Sequence, residues 1–297
     1  MHAVLNLTPE QDVKLGQIIA KVQDLPSMPA AATRVLQITG SADTNAQMIA
    51  DAIVLDQALA AKVLKIANSA FYGLSRSVTM VKEAVVVLGI SHVRNLVITA
   101  SAAPWMRRAL PGYDLEPKQL LLHGSAVAIG ARMIAKSRRL TVADDAFVAG
   151  LLADIGKIVL SEYFDGKLAT MISLGAQAGM TFDQVETKVM GFDHACVGAR
   201  LAEDWNLPAT LVHAIRYHHA PSEAPEAYRP LCDCIHLADY LTMLCGFGMG
   251  GDGMFYEVDE AAFERLGINA NDLDHIVDEF VTAYQHQEAL FEEISQS

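Results

Sequence analysis

The stretch TNAQMIADAIVLDQALAAKVLKIAN, residues 44–68, decides between two kinds of protein. Apolar residues return every three or four positions on both sides of Leu55 and Asp56, the period of two helices joined by a short turn. Asp56 is placed to cap the second helix, and Thr44, with Gln47 three residues on, to cap the first. Two helices about a turn are also the outline of a DNA-reading helix-turn-helix. Here the would-be recognition helix offers only Lys62 and Lys65 among Ala, Leu, Val and Ile, so two packed core helices are expected.

The same logic extends in both directions. TPEQDVKLGQII (8–19) opens with Thr8 as a cap, Pro9 in the first turn and Gln11 as a capping-box partner. Thr79 is expected to cap VKEAVVVL, Gly89 to end it, and SHVRNLVITASAA keeps helical spacing after it. PWMRRALPGYDLEP (104–117), with three prolines and a glycine, reads as a boundary. Beyond it, helices are expected at roughly 118–136, 143–161, 165–178, 181–188, 193–205, 208–219, 228–245 and 271–293. GFGMGGDGMFYEVD (246–259), with five glycines, reads as a loop. Sustained strand-type alternation is missing, and the fold class is all-α. The expected division is a helical subdomain over 8–110 and a second over 111–297.

Composition excludes several functions. Of 297 residues 52% are hydrophobic, yet no run approaches the roughly 18 apolar residues of a membrane span. The opening MHAVLNLTPEQDV lacks the basic start and long apolar core of a secretory signal, and a cytoplasmic chain is expected. A net charge of −13 argues against nucleic-acid binding. The basic run RMIAKSRRL (132–140) suits the C-terminal end of a helix. Cys232 and Cys234 form a C-x-C without partners at finger spacing, so reduced, buried thiols are expected there and at Cys196 and Cys245.

The second half sets ligand-type side chains on apolar stripes. His123 has Ala126, Val127 and Gly130 at helical offsets, and His194 has Val197, Gly198 and Leu201. Asp154 lies between Leu151 and Ile158, and Asp239 between Ile235 and Met243. His218 and His219 follow Leu211 and Val212 by seven residues, just before Pro221. One such residue means little. Together they make sense if they face one another, because imidazole and carboxylate jointly suit zinc, iron, manganese or nickel. His213, His236, His2, His92, His275 and His286 are read as structural.

The order His123, Asp154 with Lys157 in ADIGK, His194, His218-His219 and Asp239 resembles the HD superfamily of metal-dependent phosphohydrolases and the related HD-GYP phosphodiesterases. LPSMPAAATRVLQI (25–38), residues 55–98 with ANSAFYG and VVLGISHVRNL, and LLADIGKIVL resemble the HDOD family, an HD-related output domain of bacterial signalling proteins. The resemblance implies an N-terminal helical subdomain packed on an HD-like one. It also implies a divalent metal held by some of His123, Asp154, His194, His218, His219 and Asp239. Where HD phosphohydrolases carry the histidine of their His-Asp pair, this chain has Ala153, and the glycine-tyrosine-proline signature is missing after His219. The expected function is therefore a non-catalytic signalling module that binds a protein partner or a nucleotide-type small ligand. The alternatives are a phosphohydrolase with a reduced site, Asp154 ligating the metal and Lys157 steadying phosphoryl oxygens, or a metal-sensing domain. The C-terminal helix, with Leu273, Ile276, Val277, Phe280, Val281 and Tyr284 on one face, is expected to pack on its own domain, with a homodimer the other possibility.

Overall fold

A computed structural model describes all residues except 1–3, 6, 23–27, 40, 42, 69–73, 75, 252–255, 270, 271 and 297, and omits the side chains of 287–296. Among the described residues every regular element is helical, with one isolated bridge between Leu110 and Leu115. The first half holds α1 (Pro9–Lys21), α2 (Ala30–Thr39), α3 (Ala46–Val54), α4 (Gln57–Ala67), α5 (Val81–Leu88) and α6 (Ile90–Met106). A 3-10 turn at Pro111–Tyr113 leads into α7 (Gln119–Ser137), α8 (Ala143–Leu152), α9 (Lys157–Phe164), α10 (Leu168–Ala178) and α11 (Phe182–Met190). Then come α12 (His194–Asp204), α13 (Ala209–Arg216), α14 (Arg229–Leu244), α15 (Glu260–Arg265) and α16 (Leu273–Gln296).

The capping expectations hold in part. Thr8 and Gln11 form their capping box, Asp56 accepts the Leu59 amide, and Gly89, at φ 89°, ends α5. The cap of α3 is Asn45 rather than Thr44, whose hydroxyl instead donates to the carbonyls of Ile38 and Ser41. Met80, not Thr79, precedes α5. Pro104 does not end a helix but lies inside α6, and α15 follows the glycine-rich segment without having been foreseen. Of that segment, 252–255 fall outside the described residues, as does His2, and so do 69–73, most of ANSAFYG. The face of α16 foreseen from its periodicity packs inward, chiefly on α7, with Ile276, Phe280 and Tyr284 buried.

Helix α7 is the axis of the second half, buried along most of its length between α8 and α14. Two sequence expectations fail here, and both failures build the site. The expected helix over 143–161 breaks at residues 153–156, where the amides of Ala153, Ile155 and Lys157 turn back to carbonyls three residues earlier. Helix α12 lies directly against this turn. A side chain on Gly156 would overlap the His194 carbonyl and the Gly198 amide, both backbone. The expected helix over 208–219 ends at Arg216, leaving His218 and His219 on the segment beyond it. His218 helps end it, its Nδ1 donating to the Ile215 carbonyl at 2.7 Å.

Gly156→Ala is expected to destabilise the protein by about 1–3 kcal/mol, because rigid backbone must give way. Gly16→Ala in α1, where nothing lies within 4 Å of an added Cβ, should be neutral to stabilising by about 0.5–1 kcal/mol. Urea unfolding of the two variants checks both signs.

Candidate metal centre

Asp154 sits at the break between α8 and α9 and is 3% exposed. An isolated carboxylate there would be costly, and nitrogens surround it. Oδ2 meets the Lys157 ammonium at 3.0 Å and His123 Nε2 at 3.3 Å. Oδ1 meets His194 Nε2 at 3.1 Å and His218 Nε2 at 3.7 Å. His219 Nε2 lies 2.9 Å from His194 Nε2. One donor atom each from Asp154, His194, His218 and His219 falls within 4.8 Å of every other, a group that could hold a metal ion.

The chemistry of these donors fits an ion. His218 gives its Nδ1 hydrogen to Ile215, so Nε2 presents a lone pair, buried and without a hydrogen-bond partner. At 3.7 Å it is too far from Asp154 to share a proton well, yet it faces the carboxylate. Electron-rich atoms converging in a buried space are stable around a cation. Three imidazoles and one carboxylate suit a first-row transition metal.

Charge among these side chains is arranged around the same point. Burial opposes ionisation of Asp154, but Lys157 and then the bond from His194 outweigh it, holding its carboxyl well below the usual range. Burial likewise opposes protonation of His194, yet Glu186 and Asp154 raise its pKa well above that of a free imidazole. Burial, then His218 and His194, push His219 well below, so it is neutral and can accept from its neighbour. A proton on His194 thus stands where an ion would bind.

His123 and Asp239 lie beside this group rather than in it. His123 Nε2 is 2.9 Å from Asp239 Oδ1, and its Nδ1 faces the Phe247 carbonyl at 3.2 Å. Burial opposes its charge, but the Asp239 bond and Asp154 raise its pKa, and Asp239 is lowered against burial mainly by His123. The pair is an internal ion pair bordering Asp154. Ala153, 3% exposed, offers only a methyl. Lys157 is 7% exposed and committed to Asp154. All seven sequence-selected residues therefore lie in one neighbourhood, divided into a four-ligand group, a bordering pair and Lys157 against Asp154.

Above the cluster lies a cavity of about 630 Å³, lined by His194, His219, Lys157, Arg216 and Tyr256 among others. Two contributors went unseen in the sequence. Glu186, fully buried on α11, accepts from His194, and Tyr113 donates to Glu186. Glu186 follows Phe182 by four residues and precedes Met190 by four, the same stripe argument that singled out Asp239. Tyr113 carried no such mark, sitting among prolines read as a boundary. Of the histidines read as structural, His236 is buried and takes the Asp259 amide on Nε2, and His213 stacks on Tyr228 with centroids 4.0 Å apart.

An ion must displace the His194 proton, and the raised pKa of that ring sets the sign. Below that pKa, metal affinity should rise by about tenfold per pH unit, flattening above it. Zinc titrations from about pH 6 to about pH 8 measure the slope; a flat profile would contradict the exchange.

Comparisons with known proteins agree with this architecture. Residues 25–221 match the HDOD domain. An uncharacterized protein of Treponema pallidum is 29% identical over 231 residues, 77% of this chain and 44% of that protein, so the chain spans less than half the length of this relative. A Geobacter sulfurreducens HDOD domain protein of unknown function superposes with a TM-score of 0.74 at 24% identity, over 96% of this chain and 98% of its own. A Shewanella amazonensis protein that carries the name of a phosphohydrolase gives 0.70 at 24%, over 95% and 98%. A Marinobacter aquaeolei protein named for signal transduction gives 0.75 at 22%, over 98% and 68%. At these identities the likeness to the solved structures is one of fold. The extent of the domain match identifies the chain itself, which belongs to the HDOD family.

Proposed function

We propose that this chain is a non-catalytic signalling module whose HD-derived cleft holds one transition-metal ion and binds a protein partner or a nucleotide-type small ligand over it. Asp154, His194, His218 and His219 would hold the ion. The observation that carries the reading is the state of the neighbouring half-site. His123 and Asp239 are joined to each other at 2.9 Å, and Ala153 supplies no donor where HD phosphohydrolases have a histidine. In a phosphohydrolase the metal lowers the pKa of water and steadies charge on phosphorus. Here Lys157, which by resemblance would face the phosphoryl group, instead neutralises Asp154. The signalling name of the Marinobacter relative is in keeping with this reading.

One observation favours a second reading, a one-metal phosphohydrolase. The cavity of about 630 Å³ reaches His194, His219 and Lys157, and it has room for a nucleotide. The phosphohydrolase name of the Shewanella relative points the same way.

Metal analysis of untagged protein should find about one ion per chain, lost in Asp154→Ala. The loaded protein should leave cyclic dinucleotides, nucleotides and a generic phosphodiester intact. Turnover abolished by Asp154→Ala would replace the first reading with the second. Ala153→His should tighten metal binding or admit a second ion, and unchanged loading would show that the cleft lacks HD geometry.

A further inference from the structure

We propose that Glu186, held by Tyr113, is the positioning residue that makes His194 a metal ligand, an inference that rests on the reading of the cluster as a single-ion site. Glu186 is 0% exposed and places both oxygens on donors. Oε2 accepts the backbone amide of His194 at 2.7 Å and its Nδ1 at 2.7 Å. Oε1 accepts the Tyr113 hydroxyl at 2.6 Å, and Tyr113 is itself fully buried between Phe164 and Phe182.

Closing the end of α12 does not account for this arrangement. Asp193 already caps the helix through the Cys196 amide. A neutral acceptor would satisfy the His194 amide without the cost of burying a charge. What the carboxylate adds is control of the ring. By holding Nδ1–H it fixes the tautomer that leaves Nε2 for an ion, turns Nε2 toward Asp154, and increases the electron density that Nε2 can donate. Its charge also has a purpose once an ion is present, because Asp154 is already shared with Lys157 and Glu186 adds a negative charge beside the cation.

Tyr113 reaches the second ligand as well. The Lys157 ammonium lies 5.7 Å from the centroid of its ring, and Lys157 pairs with Asp154. The 3-10 turn at 111–113 is in turn fixed to α9, the Gly112 amide donating to Ser161 Oγ at 3.1 Å. One buried tyrosine thus supports the partners of both His194 and Asp154.

The test uses the full chain stripped of metal, with zinc titrated against a chromophoric chelator. The parent is compared with Glu186→Gln, Glu186→Ala and Tyr113→Phe. Melting of each ion-free protein and nitrogen NMR of the His194 ring accompany the titrations. Glu186→Gln keeps an acceptor for Nδ1–H but loses the charge. It should weaken zinc binding about tenfold while still unfolding cooperatively and keeping the Nδ1–H tautomer in the zinc-bound ring. Glu186→Ala should weaken binding about a hundredfold and lose that tautomer preference, and Tyr113→Phe should weaken it severalfold. If Glu186→Ala does not fold, the glutamine variant decides. Gln and Phe variants that load zinc as tightly as the parent would overturn the role of Glu186 while leaving the metal site standing. A parent that binds no zinc would overturn the single-ion reading and this inference with it.

Discussion

The second half of the molecule is organised around a carboxylate that cannot be solvated. Asp154 is buried, and the protein replaces its lost water with Lys157, His123 and His194. Those groups come from three separate places, the first turn of α9, the second turn of α7 and the start of α12, and the segment after α13 sets His218 beside them. Removing one member of such a set leaves the others buried and unbalanced, a loss of about 3–5 kcal/mol for a buried pair. The packing follows from that requirement. The tight turn at 153–156 presents the carboxylate, the bare Gly156 lets α12 close on it, and the early end of α13 frees His218 and His219 to reach it.

The centre is asymmetric. On one side, four donors converge with a lone pair directed inward. On the other, His123 and Asp239 satisfy each other, and Ala153 contributes nothing. A cation-holding half beside a self-neutralised half is suited to binding an ion and keeping it. The proton on His194 and the ion compete for the same position, so occupancy would follow both pH and metal supply.

Much of this was legible in the sequence because periodicity reports which face of a helix is buried. His123, His194 and Asp239 each lay on an apolar stripe, and each is buried. The helical class was legible for the same reason, as was the inward face of α16. What escaped depends on contacts between distant segments. The break at 153–156 interrupts a helical pattern that runs on through Leu151, Ile155 and Ile158, at the place where α12 packs against Gly156. Tyr113 and Glu186 are 73 residues apart, and the prolines around Tyr113 suggested a linker rather than a support. Cap choice failed at Thr44 and Thr79, where a neighbouring residue precedes the helix instead.

The most direct measurement of the central claim is a crystal of metal-loaded protein with diffraction collected at the absorption edge of the ion. A single anomalous peak enclosed by Asp154, His194, His218 and His219, with the His123–Asp239 pair intact, is the predicted result. A peak between His123 and Asp239, or none at the cluster, would contradict it.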